Sequence, residues 1–173
     1  MVDFLVLGSG VAAHYSEVFP LFKEEKVFFG YSITGGDRLF GIPDDYDGYG
    51  SGYKEVDGVR YAAVTNVRWF TSLGVQDKDP LDLDGGMEGL RFLDGQEVLN
   101  VDRVCDILRD YKGVMAVPLT FLDKWSRKQF EVVGIADTGK GGYDLFCPRM
   151  DGVGKFTRVL IRRRDCDDDR DTV

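Results

Sequence analysis

Histidine and cysteine are scarce in this sequence, and their scarcity excludes several metal and redox sites. A single histidine, His14, cannot form a two-histidine metal site. The three cysteines, Cys105, Cys147 and Cys166, are far apart, odd in number and without a Cys-x-x-Cys pair. This pattern indicates reduced thiols in a cytosol-like compartment rather than a disulfide framework, so we expect a cytoplasmic protein.

Long apolar runs are missing as well. The segment from Val2 to Leu7 is apolar and β-prone, but it is short and no basic residue precedes it. It therefore predicts a strand rather than a signal peptide or a membrane span, and we expect no membrane partner.

Basic residues are outnumbered by acidic ones. Lys and Arg total 22 against 30 Asp and Glu, which gives a net charge of −8. Proteins that grip phosphate backbones carry clustered positive charge, so this balance argues against nucleic-acid binding as the main task. A local basic patch would still permit it.

The chain has the length and apolar content of one folded domain. Its 173 residues include 43% hydrophobic and 13% aromatic residues, which is unlike a disordered protein. We expect a single domain over residues 1–164, followed by a charged, flexible tail over residues 165–173.

The opening segment predicts a strand, a helix and a second strand. Val2 to Leu7 has the nearly continuous apolar pattern of a strand covered on both faces. Residues 14–25 carry apolar side chains at helical spacing, with Pro20 expected to break or kink the helix. Residues 26–31 follow as a second strand, and this order is typical of the α/β class.

The remaining sequence predicts short strands separated by loops. The expected strands are Arg38–Ile42, Arg60–Val64, Val67–Leu73, Gly113–Val117, Phe130–Ala136 and Phe156–Arg162. Residues 74–95 predict an irregular loop, residues 101–110 a short helix, and Pro118 the start of a helical turn through Leu122. Ser126 and Gln129 have the spacing of a capping box for one further turn.

A glycine motif after the first strand is a candidate cofactor site. Residues 8–13 (GSGVAA) match the G-x-G-x-x-(G/A) pattern, in which Gly8 and Gly10 would let backbone N–H groups approach a phosphate or an adenosyl group. No carboxylate stands at the end of the second strand to hold a ribose. A plain strand-to-helix turn is therefore the favoured interpretation.

A basic and aromatic motif is the candidate DNA-binding site. Cations beside an aromatic ring can clamp a phosphate and stack a base. The residues concerned are Lys124, Trp125, Arg127, Lys128, Arg158, Arg162 and Arg163. The alternative is a solvated charged face around a buried tryptophan, with the arginine run neutralised by the aspartates that follow it.

His14 and the acidic segments are less specific signals. His14 lies near Ser9 and Ser16, but no third group is evident that would orient it as a base, so a structural role is favoured. The acidic segments at residues 44–47 and 77–84 could offer oxygens to a divalent cation. Their spacing matches no calcium loop, and simple solvation is the better interpretation.

A central run of the sequence is similar to a known enzyme family. Residues 111–125 (YKGVMAVPLTFLDKW), followed by residues 129–134 (QFEVVG), resemble the EcoRI-type family of adenine-specific DNA methyltransferases. Further stretches agree in the same order: Phe4–Gly8, Glu17–Lys23, Lys26–Gly30, Ile42–Tyr46, Asn66–Thr71, Asn100–Val101 and Arg158–Arg163. The resemblance covers most of this chain but only the C-terminal half of the family.

The resemblance implies a fold and the loss of an active site. The implied fold is a partial, truncated methyltransferase-like (Rossmann-type) mixed sheet with an irregular appended region that faces DNA. The family uses S-adenosylmethionine, and it places the loop for this cofactor and an Asn-Pro-Pro-Phe motif upstream of the strand that begins this sequence. The motif holds the amine of a flipped adenine. This sequence has no Pro-Pro pair, so we expect no catalytic residues and no cofactor bound by this chain alone.

Three functions of different class remain open. The first is a DNA-recognition half, or a remnant, of an adenine-specific methyltransferase from a restriction-modification system, inactive alone. The second is a non-catalytic acidic protein-binding module, such as a phage or mobile-element inhibitor that imitates DNA. The third is a small-ligand binder that uses residues 8–13. The exposed edge of Val2 to Leu7 needs cover from rebuilt packing, a homodimer or a protein partner.

Overall fold

Short strands dominate the fold. The computed structural model describes residues 2–31, 38–46, 53–73, 78–137 and 146–165. Thirteen strands lie within these ranges: β1 (Leu5–Ser9), β2 (Phe28–Phe29), β3 (Arg38–Gly41), β4 (Tyr53–Val56), β5 (Val59–Val64), β6 (Val67–Thr71), β7 (Arg91–Phe92), β8 (Val98–Asn100), β9 (Val114–Pro118), β10 (Phe130–Ala136), β11 (Arg149–Met150), β12 (Val153–Gly154) and β13 (Arg158–Arg163). The helices of the same ranges are one α-helix, α1 (Phe19–Lys23), and the 3-10 helices Gly10–His14, Val104–Asp106 and Leu119–Asp123. The predicted α/β class is thus realised as a mixed, sheet-rich fold with few helices.

The largest of the described sheets has five strands in the order β10-β13-β9-β8-β7 and contributes side chains to the core. Its pairs are antiparallel except for β8 and β9, which run parallel. Strand β10 has the bounds that the sequence predicts, because its alternating apolar residues bury one face, and a register shift interrupts its pairing with β13 between Val132 and Gly134.

A three-stranded sheet places β6 between β1 and β2. Both outer strands are antiparallel to β6, so the predicted strand–helix–strand unit is present with a third strand between its two strands. The prediction that Val2 to Leu7 is covered on both faces is wrong. Leu5 is 55% exposed and Val6 53%, and since consecutive residues of a strand lie on opposite faces, neither face of β1 is covered there.

The predicted helix over residues 14–25 forms as two short pieces. A 3-10 helix covers Gly10–His14, and α1 then begins with Pro20 in its first turn. Pro20 therefore starts a helix instead of kinking one, since the first turn needs no N–H at that position.

A separate antiparallel sheet, β3-β5-β4, and the hairpin β11–β12 lie outside the main core. Strands β3 and β5 were predicted, whereas β4 and the short strands β7, β8, β11 and β12 were not. The residues of the expected tail beyond Asp165 lie outside the described residues.

Aromatic side chains join the two larger sheets in one core. Phe29 and Phe70 from the three-stranded sheet meet edge to face with ring centroids 5.2 Å apart. They belong to the same buried cluster as Phe130 and Ile161 of the five-stranded sheet. Within the described ranges, no helix is long and apolar enough to cross a membrane.

Candidate nucleic-acid interface

The turn at residues 124–128 presents three cations on a buried anchor. Lys124 and Lys128 are exposed, and the guanidinium of Arg127 lies 4.7 Å above the ring of Phe28. Trp125 is only 5% exposed, and its indole Nε1 donates a hydrogen bond to the carbonyl oxygen of Phe130 at 2.9 Å. Its ring therefore belongs to the core and fixes the turn, and it offers no free face to a base.

The predicted capping box at Ser126 and Gln129 is wrong in its side-chain bonds, although the turn is present. The backbone N–H groups of Gln129 and Phe130 donate to the carbonyl oxygen of Ser126. The Gln129 amide instead exchanges two hydrogen bonds with the backbone of Leu81, at 2.6 and 2.8 Å. The side chain of Gln129 thus ties the turn to the loop at residues 78–90.

The end of β13 brings a second set of cations to the same place. Antiparallel pairing sets Arg163 opposite Phe130 and Arg162 opposite Glu131, directly after the turn. The backbone N–H of Arg164 also donates to the carbonyl oxygen of Gln129 at 2.8 Å. We call the cations gathered here the basic end of the sheet: Lys124, Arg127, Lys128, Arg162 and Arg163.

Acidic residues neutralise part of the positive charge at and near the basic end. Arg162 pairs with Glu131 at 3.1 Å, Arg164 with Glu25, and Asp165 with Lys112. The aspartate that directly follows the arginine run thus pairs with a lysine of another segment. Asp167, Asp168 and Asp169 lie outside the described residues.

Arg158 lies apart from the other predicted DNA-binding residues. It pairs with Pro118 and Ala136 at the opposite end of β13, roughly 15 Å along a strand from Arg163. It is buried, and its guanidinium donates to Asn100 Oδ1 at 3.3 Å and to Asp102 Oδ1 at 2.6 Å. Arg158 therefore holds the segment after β8 against β13.

Asp102 stays ionised within this cluster. Burial raises the pKa of the carboxyl, but hydrogen bonds from Asn100 and Lys155 and the positive charges of Lys155 and Arg158 outweigh it, so the pKa lies below its ordinary value. A groove of about 660 Å³ borders the cluster, with Asn100, Asp102 and Lys155 in its wall.

His14 lies beside an aspartate that the sequence did not suggest. Its Nδ1 is 3.7 Å from Asp137 Oδ2, and Thr157 Oγ1 donates to the other oxygen of the same carboxylate. Ser9, the nearby hydroxyl of the sequence, instead accepts a hydrogen bond from the backbone N–H of Val11. This arrangement joins the first 3-10 helix to the end of β10 and the start of β13, and it uses the Ser9 hydroxyl as a cap of that helix.

Gly8 and Gly10 face strand β6 rather than an open cofactor site. A Cβ added at Gly10 would lie 2.6 Å from Asn66 Oδ1, and one at Gly8 would lie 3.3 Å from the Phe70 ring. The backbone N–H of Gly10 already donates to the carbonyl oxygen of Asn66. The space beside the two glycines is thus occupied by Asn66 and by the Phe70 ring of β6.

Two features beside the basic end have no counterpart in the sequence-based prediction. Arg68 and Asp123 form a buried ion pair with two hydrogen bonds, 2.6 Å from Nε and 2.9 Å from the terminal nitrogen. Lys78 Nζ donates to the carbonyl oxygen of Asp123, and burial lowers the pKa of Lys78, opposed by Asp123 and assisted by Arg68. A pocket next to Lys124 is lined by Tyr31, Lys78 and Asp79 among others.

The acidic loops do not assemble a metal site within the described ranges. No group of three or more His, Cys, Asp or Glu side chains is placed there to hold an ion. Asp82 and Asp84 instead lie 3.6 Å from the guanidinium of Arg109. Cys105 and Cys147 are free and exposed thiols.

Comparison with known proteins gives a consistent result. The family model "Adenine-specific methyltransferase EcoRI" matches residues 2–168. The chain is 32% identical to the Type II methyltransferase M.EcoRI of Escherichia coli, covering 93% of this chain and 50% of the relative. It is 32% identical to the Type II methyltransferase M.MpnI of Mycoplasma pneumoniae, covering 94% of this chain and 57% of the relative. A Type II methyltransferase of Mycoplasma genitalium is 31% identical over 94% of this chain and 57% of its own length.

The chain therefore spans about half the length of the curated relatives that it matches. No solved structure matches it.

Proposed function

Because the chain belongs to the EcoRI-type family of adenine-specific methyltransferases, we propose that its residues form a DNA-binding part of such an enzyme. The observation that carries this proposal is the family match over residues 2–168. The basic end supports it, since the register of β10 and β13 brings Arg162 and Arg163 to the end of the sheet that follows the turn at residues 124–128. Lys and Arg side chains on such a surface contact phosphate oxygens and set the register on a duplex.

The net charge of −8 is compatible with this assignment. Electrostatic attraction at contact distance depends on the local arrangement, because charges farther away than about 10 Å are screened at ordinary salt. In the basic end, Lys124 and Lys128 are exposed on a turn that is anchored by the buried Trp125 and its hydrogen bond to Phe130. These two lysines are therefore the first residues to test.

Duplex binding across a range of salt concentrations tests the proposal. We expect the affinity for a duplex to fall steeply as salt rises, because cations bound to phosphates are released into the solution. Lys124→Ala and Lys128→Ala should each make the negative slope of log K against log salt shallower by about 0.9. Lys54→Ala, an exposed lysine on β4, is the matched control and should leave the slope unchanged. Equal effects at all three positions would contradict a role for the basic end.

We further propose that these 173 residues do not transfer a methyl group by themselves. Family members use S-adenosylmethionine as methyl donor, whereas the backbone N–H of Gly10 is already bonded to Asn66 and the sequence has no Pro-Pro pair. Incubation with labelled donor and adenine-containing DNA should leave the DNA unlabelled. Incorporation above background would overturn this part of the proposal. A DNA partner and the free thiols both suit a cytoplasmic location.

The exposed strand β1 favours one alternative, a non-catalytic protein-binding module. Its apolar side chains lie at a sheet edge, where a second copy or another protein can pair. An acidic module of this kind would occupy basic grooves by charge complementarity. Failure to bind a duplex even at low salt would favour this alternative, and salt-sensitive duplex binding would exclude DNA mimicry as the main function.

A further inference from the structure

An exposed aromatic ring and two ammonium groups line a pocket beside the basic end. The pocket has a volume of about 350 Å³, and its lining residues are Tyr31, Lys78, Asp79, Leu81, Asp123 and Lys124. This volume lies in the range of ordinary ligand sites, and it exceeds that of one nucleobase. Lys124 belongs to both the pocket and the basic end, so the two surfaces are continuous.

Tyr31 supplies the ring that Trp125 cannot supply. Tyr31 is the second residue after the end of β2, and its side chain is 62% exposed. The preceding residue is held by a 2.8 Å hydrogen bond from the Gly30 N–H to the Trp69 carbonyl oxygen, and a Cβ at Gly30 would come within 2.8 Å of the Trp69 side chain. Tyr31 thus follows a tightly packed segment, and most of its ring is accessible to a ligand. Such a face stacks any of the four bases.

The charges around this ring favour an anion. Asp123 is part of the lining, but its carboxylate accepts hydrogen bonds from two of the three guanidinium nitrogens of Arg68. Lys78 uses one of its three N–H donors on the Asp123 carbonyl oxygen. Lys124 is exposed at the rim, so the two lysines outweigh Asp79, which remains available to accept a hydrogen bond from a base.

We propose that this pocket binds one nucleotide of a single-stranded DNA segment, with the base on Tyr31 and the phosphate on Lys124 and Lys78. Base stacking and a cationic track are the two components of single-strand recognition, and both are present here. The inference rests on the proposed function in that DNA is the ligand. It adds an unpaired strand as the form that this pocket recognises.

The test measures binding of a fluorescein-labelled oligothymidylate of about twelve nucleotides by anisotropy. Tyr31→Ala should weaken binding at least about five-fold, because stacking contributes strongly to single-strand affinity. Tyr31→Phe keeps the ring and should bind like the unmodified chain. Tyr53→Ala removes an exposed tyrosine on β4, away from the pocket, and should also have no effect. Lys124→Ala should make the negative slope of log K against log salt shallower by about 0.7.

Duplex binding is measured in parallel with the same variants. Unchanged single-strand affinity in Tyr31→Ala, or no single-strand binding at low salt, would overturn the inference while the duplex result decides the proposed function. An equal loss in Tyr31→Ala and Tyr53→Ala would also overturn it. Single-strand binding that depends on Tyr31 without any duplex binding would support the pocket and count against the proposed function.

Discussion

At the scale of single residues, a buried ion pair between Arg68 and Asp123 stabilises the segment that leads into the turn at residues 124–128. Asp123 ends the 3-10 helix that precedes the turn, and Arg68 comes from the central strand β6. Both side chains are buried, so their ion pair joins β6 to the 3-10 helix that ends just before Lys124. A buried pair of this kind stabilises little compared with an apolar replacement, but loss of one partner leaves an uncompensated charge.

Removal of one partner of this pair should therefore be more harmful than removal of both. Arg68→Met should lower the free energy of unfolding by about 3–5 kcal/mol, because it leaves the Asp123 carboxylate buried and unpaired. The double variant Arg68→Met, Asp123→Leu should recover most of that loss. Urea unfolding of the three proteins measures the effect. A double variant as unstable as Arg68→Met would show that packing rather than charge is responsible.

Lys78 should make stability depend on alkaline pH. Burial lowers its pKa in the folded state below the ordinary value of 10.5, so the unfolded state holds the proton more tightly. Stability therefore rises as pH increases through the folded pKa towards 10.5, where both states become neutral. The free energy of unfolding of the unmodified chain should rise relative to Lys78→Met over this interval. Lys54→Met serves as the control for other titrations, and parallel curves for the two variants would contradict the assignment.

At the scale of elements, strand β1 is an exposed apolar strand at a sheet edge. Leu5, Val6 and Leu7 are all more than two-fifths exposed, and β6 is the one described strand beside them. Strand β4 is one of the two edge strands of the β3-β5-β4 sheet. It carries Lys54 and Glu55, which discourage pairing with another chain. An apolar edge without such charges favours self-association.

A lysine placed on β1 should therefore reduce self-association. We expect concentration-dependent association of the unmodified chain in sedimentation velocity, and weaker association of Leu5→Lys at the same stability. Val56→Lys on β4 is the matched control, since Val56 is similarly exposed but lies on a strand that already carries charge. If the unmodified chain stays monomeric up to its solubility limit, β1 is not an association surface for a second copy.

Some elements follow directly from the sequence, and others depend on tertiary contacts. Strand β10 is apolar at nearly every position and its burial alternates over the first four residues, so its bounds match the prediction. Strand β8 has three residues, all buried, and such a short run has no detectable period. Strand β4 is fully exposed and charged, and it forms because β5 pairs with it.

In the candidate site, too, some positions follow from the sequence and others depend on tertiary contacts. The sequence places Lys124, Arg127 and Lys128 together because they are neighbours in the chain, whereas the position of Arg162 and Arg163 beside them depends on the register of β10 and β13. Burial of Trp125 and Arg158 is likewise set by partners far away in the chain, Phe28 and Asp102. Tyr31 was missed because a lone tyrosine after a strand carries no local signal.

At the scale of the whole molecule, the sheets differ in how firmly they are held. Most residues of strands β9, β10 and β13 are buried, and each strand contributes at least two side chains to the core that also contains Phe29 and Phe70. The β3-β5-β4 sheet contributes few buried residues, and its Ile42 and Ala62 belong to neither apolar cluster of the described chain. A segment with few buried apolar contacts opens at lower free energy than the core.

Amide hydrogen exchange should therefore divide the molecule into two classes. Peptides from residues 38–46 and 53–64 should exchange through local opening, well before peptides from residues 114–118, 130–136 and 158–163, which need global unfolding. Low denaturant should leave the rate of the first class unchanged and accelerate the second, because only global opening exposes much surface. Ala62→Gly should speed exchange in the first class alone. Equal protection in both classes, or an effect of Ala62→Gly on β10, would show that the β3-β5-β4 sheet unfolds together with the core.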